Sequence, residues 1–188
     1  MATACTTLAD KPGGEKTVSV FFNRRGLHLI IMLAVMLGLQ GCWQGDDNLP
    51  PVEKSPAANF TLKLFDGGEF KMAEHAGHPV FVNFFASWCI PCGEEASDLE
   101  AGYQEYKDKG VRFVGVASQD TESKAKGFVK KHALTFPTGL DDTGKIREAY
   151  GVFGMPTSFF IDRKGIISYL HIGGVSKDLL KYELDKLL

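Results

Sequence analysis

With 188 residues, 44% hydrophobic and 23% charged, the chain suits one globular domain with a segment to spare. Its formal net charge of −2, with no run of Lys and Arg interleaved with aromatics, excludes the basic footprint of a nucleic-acid binder.

The spare segment is at the front. Arg24 and Arg25 precede Leu27 to Leu39, an apolar run interrupted only by His28, which reads as a charged region followed by the hydrophobic stretch of a signal peptide. The run ends in Leu39-Gln40-Gly41-Cys42. This is similar to the lipobox of bacterial lipoproteins, although Gln40 replaces the small residue usual before the glycine. It implies a lipoprotein signal peptide over 1–41, lipidation of Cys42, and an anchored chain facing away from the cytoplasm, towards the periplasm in a Gram-negative cell. An uncleaved anchor is the rival reading, because Gly26 to Gly45 carries no formal charge and reaches the roughly 20 residues of a spanning helix. Asn23-Arg24-Arg25-Gly26-Leu27 faintly resembles a twin-arginine signal. Loss of 1–41 removes four of the 21 basic residues and two of the 23 acidic ones, for a formal charge of −4. It also removes Cys5, so with Cys42 acylated only Cys89 and Cys92 remain as thiols. That is too few for a disulfide scaffold.

Residues 42–58, with Pro50, Pro51, Ser55 and Pro56, read as a flexible tether, and a folded domain is expected over 59–188. "FTLKLF" and "EFKM" flank Asp66-Gly67-Gly68 as a hairpin. "HPVFVNFF" is a continuous apolar run of the kind buried on both faces of a sheet. Helices are expected over Glu94 to Lys109, Glu122 to His132 and, briefly, Lys145 to Tyr150, with "VRFVGVAS" a further buried strand. "MPTSFFID", a turn at Arg163-Lys164-Gly165, "IISYLHI" and a terminal helix capped by Ser176 complete the chain. Alternation of this kind predicts an α/β sandwich around a mixed sheet.

Cys89 and Cys92 follow the apolar strand directly, at the start of a helix. There the helix dipole and unpaired backbone N–H groups favour a thiolate, and Pro91 fits a first helical turn. Cys89 is therefore expected to be the exposed nucleophile and Cys92, one turn on, the buried thiol that resolves a mixed disulfide. Trp88, Phe84 and Phe85 read as core and wall of the site.

"NFFASWCIPCGEE" and "YGVFGMPTSFFIDRKGII" together resemble the thioredoxin-like TlpA/ResA family of membrane-tethered extracytoplasmic thiol-disulfide oxidoreductases. The resemblance spans about Phe60 to Leu188. It implies a thioredoxin-like fold with a central mixed β-sheet flanked by helices and an N-terminal β-hairpin, and no cofactor. It further implies a cis Pro156 beside the dithiol and a glutamate, Glu95, that tunes the thiols. A substrate groove is expected along Trp88, Pro91, Met155 and Thr157. Asn83 stands where thioredoxins proper carry a buried Asp. Ser97 replaces a proline that kinks the first helix, and Gly93 is an odd helix former.

The implied partners are protein thiols and disulfides, among them the haem-site cysteines of apocytochrome c in cytochrome c biogenesis, and a membrane-embedded electron donor of the thiol-reductase type. A thiol oxidase or isomerase of the same fold is the first alternative. A copper-delivery or binding module is the second, with His171 as its distant ligand. A zinc site is disfavoured because the CxxC supplies two ligands and His75, His78, His132 and His171 lack the right spacing to it. A peroxidase pattern fails at Ala86, three positions before Cys89, where a threonine is expected.

Overall fold

In the computed structural model, residues 54–188 are described; the expected signal peptide, Cys42 and most of the expected tether lie outside them. The described elements run β1 (Thr61–Lys63), β2 (Glu69–Lys71), β3 (Val80–Phe85), α1 (Ile90–Tyr106), β4 (Arg112–Ser118), α2 (Glu122–Lys131), β5 (Thr138–Asp141), α3 (Lys145–Ala149), β6 (Thr157–Ile161), β7 (Ile167–Ile172) and α4 (Lys177–Asp185).

β1 and β2 form the expected antiparallel hairpin, with Leu62 opposite Phe70. The other five strands make one mixed sheet in the order β5-β4-β3-β6-β7. β3 is parallel to β4 and β4 to β5, while β6 is antiparallel to both its neighbours. β3 sits at the centre and all six of its residues are buried, which explains its unbroken apolar run: both of its faces are covered. Phe81 and Phe85 pack on one face with Leu99 of α1, Phe128 of α2 and Leu180 of α4. Val80, Val82 and Phe84 pack on the other with Leu62, Phe70, Ile146 and Tyr150. Asn83 has the parity of Phe81 and Phe85, so it faces α1.

β5 is not among the expected strands. Its four residues include a glycine and follow a proline, so they carry no strand pattern. The β4-α2-β5 unit nonetheless adds a parallel strand through the pairs Gly115↔Thr138 to Ser118↔Asp141. Gly139 is needed there because a Cβ would collide with the Lys63 carbonyl, where Leu64 bridges to Gly139. The domain also has backbone bonds ahead of Asn59: Lys54 N–H donates to Ile167 O, Ile167 N–H to Ser55 O and Ala57 N–H to Gly165 O. α1 begins four residues before the predicted Glu94 and runs without interruption past Ser97. Ser176 caps α4 as expected, its hydroxyl accepting from Leu179 N–H.

Candidate active site

Topology brings four chain segments to one end of the sheet. The register pairs Phe84 with Thr157 and Thr157 with Ile172, and Phe85 with Ala117. The loop after β3, the loop after β4, the entry to β6 and the exit of β7 therefore meet there.

Cys89 is the N-cap of α1, with extended backbone, and its Sγ accepts from Cys92 N–H at 3.2 Å. The first turn of α1 holds no acidic residue, so the positive end of its dipole acts on the cysteine undiminished. Cys89 and Cys92 are joined by a disulfide. Cys89 is 6% exposed and Cys92 2%; Cys89 is the more accessible, but it is buried and not the exposed thiol expected.

Glu95, one turn beyond Cys92, is only 4% exposed and is not a solvated helix-face carboxylate. Its Oε1 accepts from Asn83 Nδ2 at 2.9 Å and its Oε2 from Val175 N–H at 2.7 Å. Asn83 also donates to Ser158 Oγ at 3.0 Å. Burial pushes the Glu95 pKa up to about 7, against the pull of the two N–H donors. The asparagine that cannot itself take a proton thus holds a carboxyl that can.

The Met155-Pro156 peptide is cis. Gly173 N–H donates to Pro156 O at 2.9 Å, tying the entry of β6 to the exit of β7. Met155 is partly buried against the α1-side core. Thr157, expected in the groove, is instead buried, its hydroxyl donating to Gly154 O at 2.8 Å; it shapes the loop and does not line a groove. Trp88 is 60% exposed, so it is wall and not core, and its indole N–H donates to Gln119 O at 3.0 Å. Ile90, Phe153 and Ile172 are likewise exposed.

One clamp escapes the sequence reading. Asp120, in the loop after β4, accepts from Ser87 N–H at 2.6 Å and from Ser87 Oγ at 3.0 Å, fixing the turn that delivers Cys89. Residues 33 apart in the chain leave no local spacing to betray the pair.

Among the described residues, no three or more His, Cys, Asp or Glu side chains group so as to hold a metal ion. His75 packs against Phe70 and His132 against Phe128, both tilted, and His171 lies at the exit of β7 with Nε2 3.2 Å from Gly174 O.

Comparison with known proteins agrees with this geometry. Residues 54–170 match the model of the AhpC/TSA family. The thiol-disulfide oxidoreductase ResA of Bacillus thuringiensis subsp. konkukian is 31% identical over 171 residues, covering 88% of this chain and 98% of its own. ResA of Bacillus cereus strain ZK is 34% identical over 170 residues, with the same coverage. Among solved structures, a thioredoxin-family thiol:disulfide interchange protein from Chlorobium tepidum has a TM-score of 0.66 at 30% identity, covering 72% of this chain and 97% of that one. StoA from Bacillus subtilis has a TM-score of 0.61 at 29% identity, covering 68% and 97%. With its CxxC at a helix start and a mixed sheet behind it, the chain belongs to the AhpC/TSA family and is a thiol-disulfide oxidoreductase of thioredoxin-like fold.

Proposed function

We propose that Cys89 and Cys92 form a dithiol that reduces disulfides of exported proteins outside the cytoplasm, with Cys42 as the lipid anchor. Cys89 thiolate attacks one sulfur of a substrate disulfide; the Cys89–substrate bond forms as the substrate's S–S bond breaks, and the departing thiolate takes a proton. Cys92 then attacks Cys89 Sγ, the intramolecular disulfide forms, and the substrate leaves with both electrons. A membrane-embedded thiol reductase returns the electrons. Haem-site cysteines of apocytochrome c are one substrate class this chemistry serves.

The observation that carries the direction is Glu95, a buried carboxyl one turn beyond Cys92 with a pKa raised to about 7. An anionic Glu95 opposes thiolate on the dithiol, and a thiol held in its protonated form makes the disulfide harder to reduce and the dithiol a better reductant. The undiminished dipole of α1 favours Cys89 thiolate and supports the opposite reading, an oxidant. Equilibration against glutathione and dithiothreitol buffers separates them. A potential nearer about −270 mV than about −120 mV is expected, and a value near the latter overturns the reductant reading. The anchor is tested separately: Cys42→Ser is expected to abolish incorporation of labelled fatty acid, and retained label refutes that assignment.

A further inference from the structure

We infer that the cleft between α1 and α2 beside Cys89 is a specificity subsite. It takes a large apolar side chain adjoining the substrate's cysteine, followed by an acidic residue. The inference rests on the reading of Cys89 as the attacking thiol.

The cleft has a volume of about 420 Å³, and Cys89 forms part of its wall. It lies on the β4 side of β3, whereas Pro156 precedes β6 on the other side. Two glycines open it, one on each helix. A Cβ on Gly93 would meet the His132 ring at 3.3 and 3.4 Å, and a Cβ on Gly127 would meet nothing within 4 Å. Gly93, an odd choice for a helix on propensity alone, thereby makes room for an imidazole. Phe128, stacked on Phe85 at 5.1 Å and against His132 at 4.4 Å, supplies an aromatic wall. Burial, and secondarily Lys131, push the His132 pKa below its ordinary value, which disfavours a charge on this ring. Exposed Trp88 and Ile90 continue the surface at the mouth.

The occupant follows from the chemistry of Cys89. A substrate sulfur bonded to Cys89 Sγ lies about 2 Å from it, and an extended chain advances about 3.3 Å per residue. The neighbour of the substrate cysteine therefore reaches a cleft that Cys89 itself lines. Charge sets what comes next. Lys126 is engaged by Glu122 at 2.6 Å, while Lys131 on the α2 side and Glu94 on the α1 side both line the cleft, and the acid-free first turn of α1 adds positive potential to it. An acidic residue is drawn to the Lys131 end and repelled from the other.

The test uses glutathione mixed disulfides of three symmetric peptides, Glu-Phe-Cys-Phe-Glu, Glu-Gly-Cys-Gly-Glu and Lys-Phe-Cys-Phe-Lys, reduced by the purified dithiol protein. Symmetry makes the direction of binding immaterial. The phenylalanine peptide is expected to react at least about tenfold faster than the glycine one, and the glutamate peptide several-fold faster than the lysine one, the latter preference fading in high salt. Gly127→Leu fills the cleft from an exposed helix position where leucine is the better helix former. It should bring the Phe:Gly ratio towards one, whereas Lys131→Glu should reverse the Glu:Lys preference and leave the Phe:Gly ratio intact. Equal rates for all peptides, or a Gly127→Leu protein that keeps the unmodified ratio, overturn the subsite alone. Failure to reduce any peptide overturns the reductant reading and the subsite with it.

Discussion

Glu95→Gln isolates the cost of burying an ionised carboxylate. Burial raises the pKa from 4.5 to about 7 in the folded protein, and at about 1.36 kcal/mol per unit that shift is worth about 3 kcal/mol. The sign follows from proton uptake. Between pH 4.5 and 7 the folded protein holds a proton that the unfolded chain has released, so the stability contribution is full below about pH 4.5. It is lost as the pH rises through 7. Glutamine does not titrate and contributes no such slope. It places an N–H₂ against one of the donors Asn83 Nδ2 and Val175 N–H, a cost that is constant with pH and cancels from the slope. His75 and His132, both lowered mainly by burial, titrate alike in the two proteins, and with the disulfide intact neither cysteine titrates. Urea denaturation of the oxidised proteins from pH 4 to 8.5 reads the difference. The stability of the parent relative to Glu95→Gln should fall by about 3 kcal/mol across that range. Parallel curves, differing by a constant to within about 0.5 kcal/mol, would refute the buried-carboxyl argument.

In the thiol-exchange reaction, Cys92→Ala should accumulate a mixed disulfide through Cys89 while Cys89→Ala traps little, scored by non-reducing gels with a labelled substrate; equal trapping reverses or dissolves the assigned roles. Asp120→Ala should cost about 2 kcal/mol of unfolding free energy, because Ser87 loses the acceptor of both its N–H and its hydroxyl. Asp120→Asn, which keeps one oxygen, should cost less by the same denaturation assay. Gly139→Ala should destabilise by about 1–3 kcal/mol, since its Cβ is opposed by backbone, the Lys63 carbonyl, and not by a side chain that can turn away.

Elements that bury a continuous or periodic pattern were legible in the sequence. β3 reads as a strand because its apolar run is unbroken, and α2 reads as a helix, with Ala125 and Phe128, three apart, on its buried side. β5 was not, because its existence depends on pairing with β4 and on the close approach of Lys63 to Gly139, and neither leaves a local pattern. At the site, the cysteines are legible from their position at a strand-to-helix junction. Glu95 is ambiguous from its own helix, where a solvated helix-face carboxylate is the ordinary reading; only the resemblance singles it out, and its hydrogen-bond partners are Asn83 and Val175, 12 and 80 residues away. The Asp120 clamp and the His132 ring over Gly93 are tertiary facts with no counterpart in spacing.

The backbone bonds that Lys54, Ser55 and Ala57 share with Gly165 and Ile167 and the bridge from Leu64 to Gly139, extended by Phe65 N–H to Thr138 O, bear on self-association. β7 and β5 are the two outermost strands of the sheet, and unpaired peptide groups on such strands template the addition of a strand from another molecule. Residues 54–65 occupy part of both rims with the protein's own chain, acting as a two-ended guard against edge-to-edge aggregation. That guard is the first stretch of the described domain, so a single proteolytic clip after Phe65 followed by loss of the severed piece would bare both rims at once. Such a clipped protein could retain its cysteine pair and still be removed from solution by stacking on its own kind.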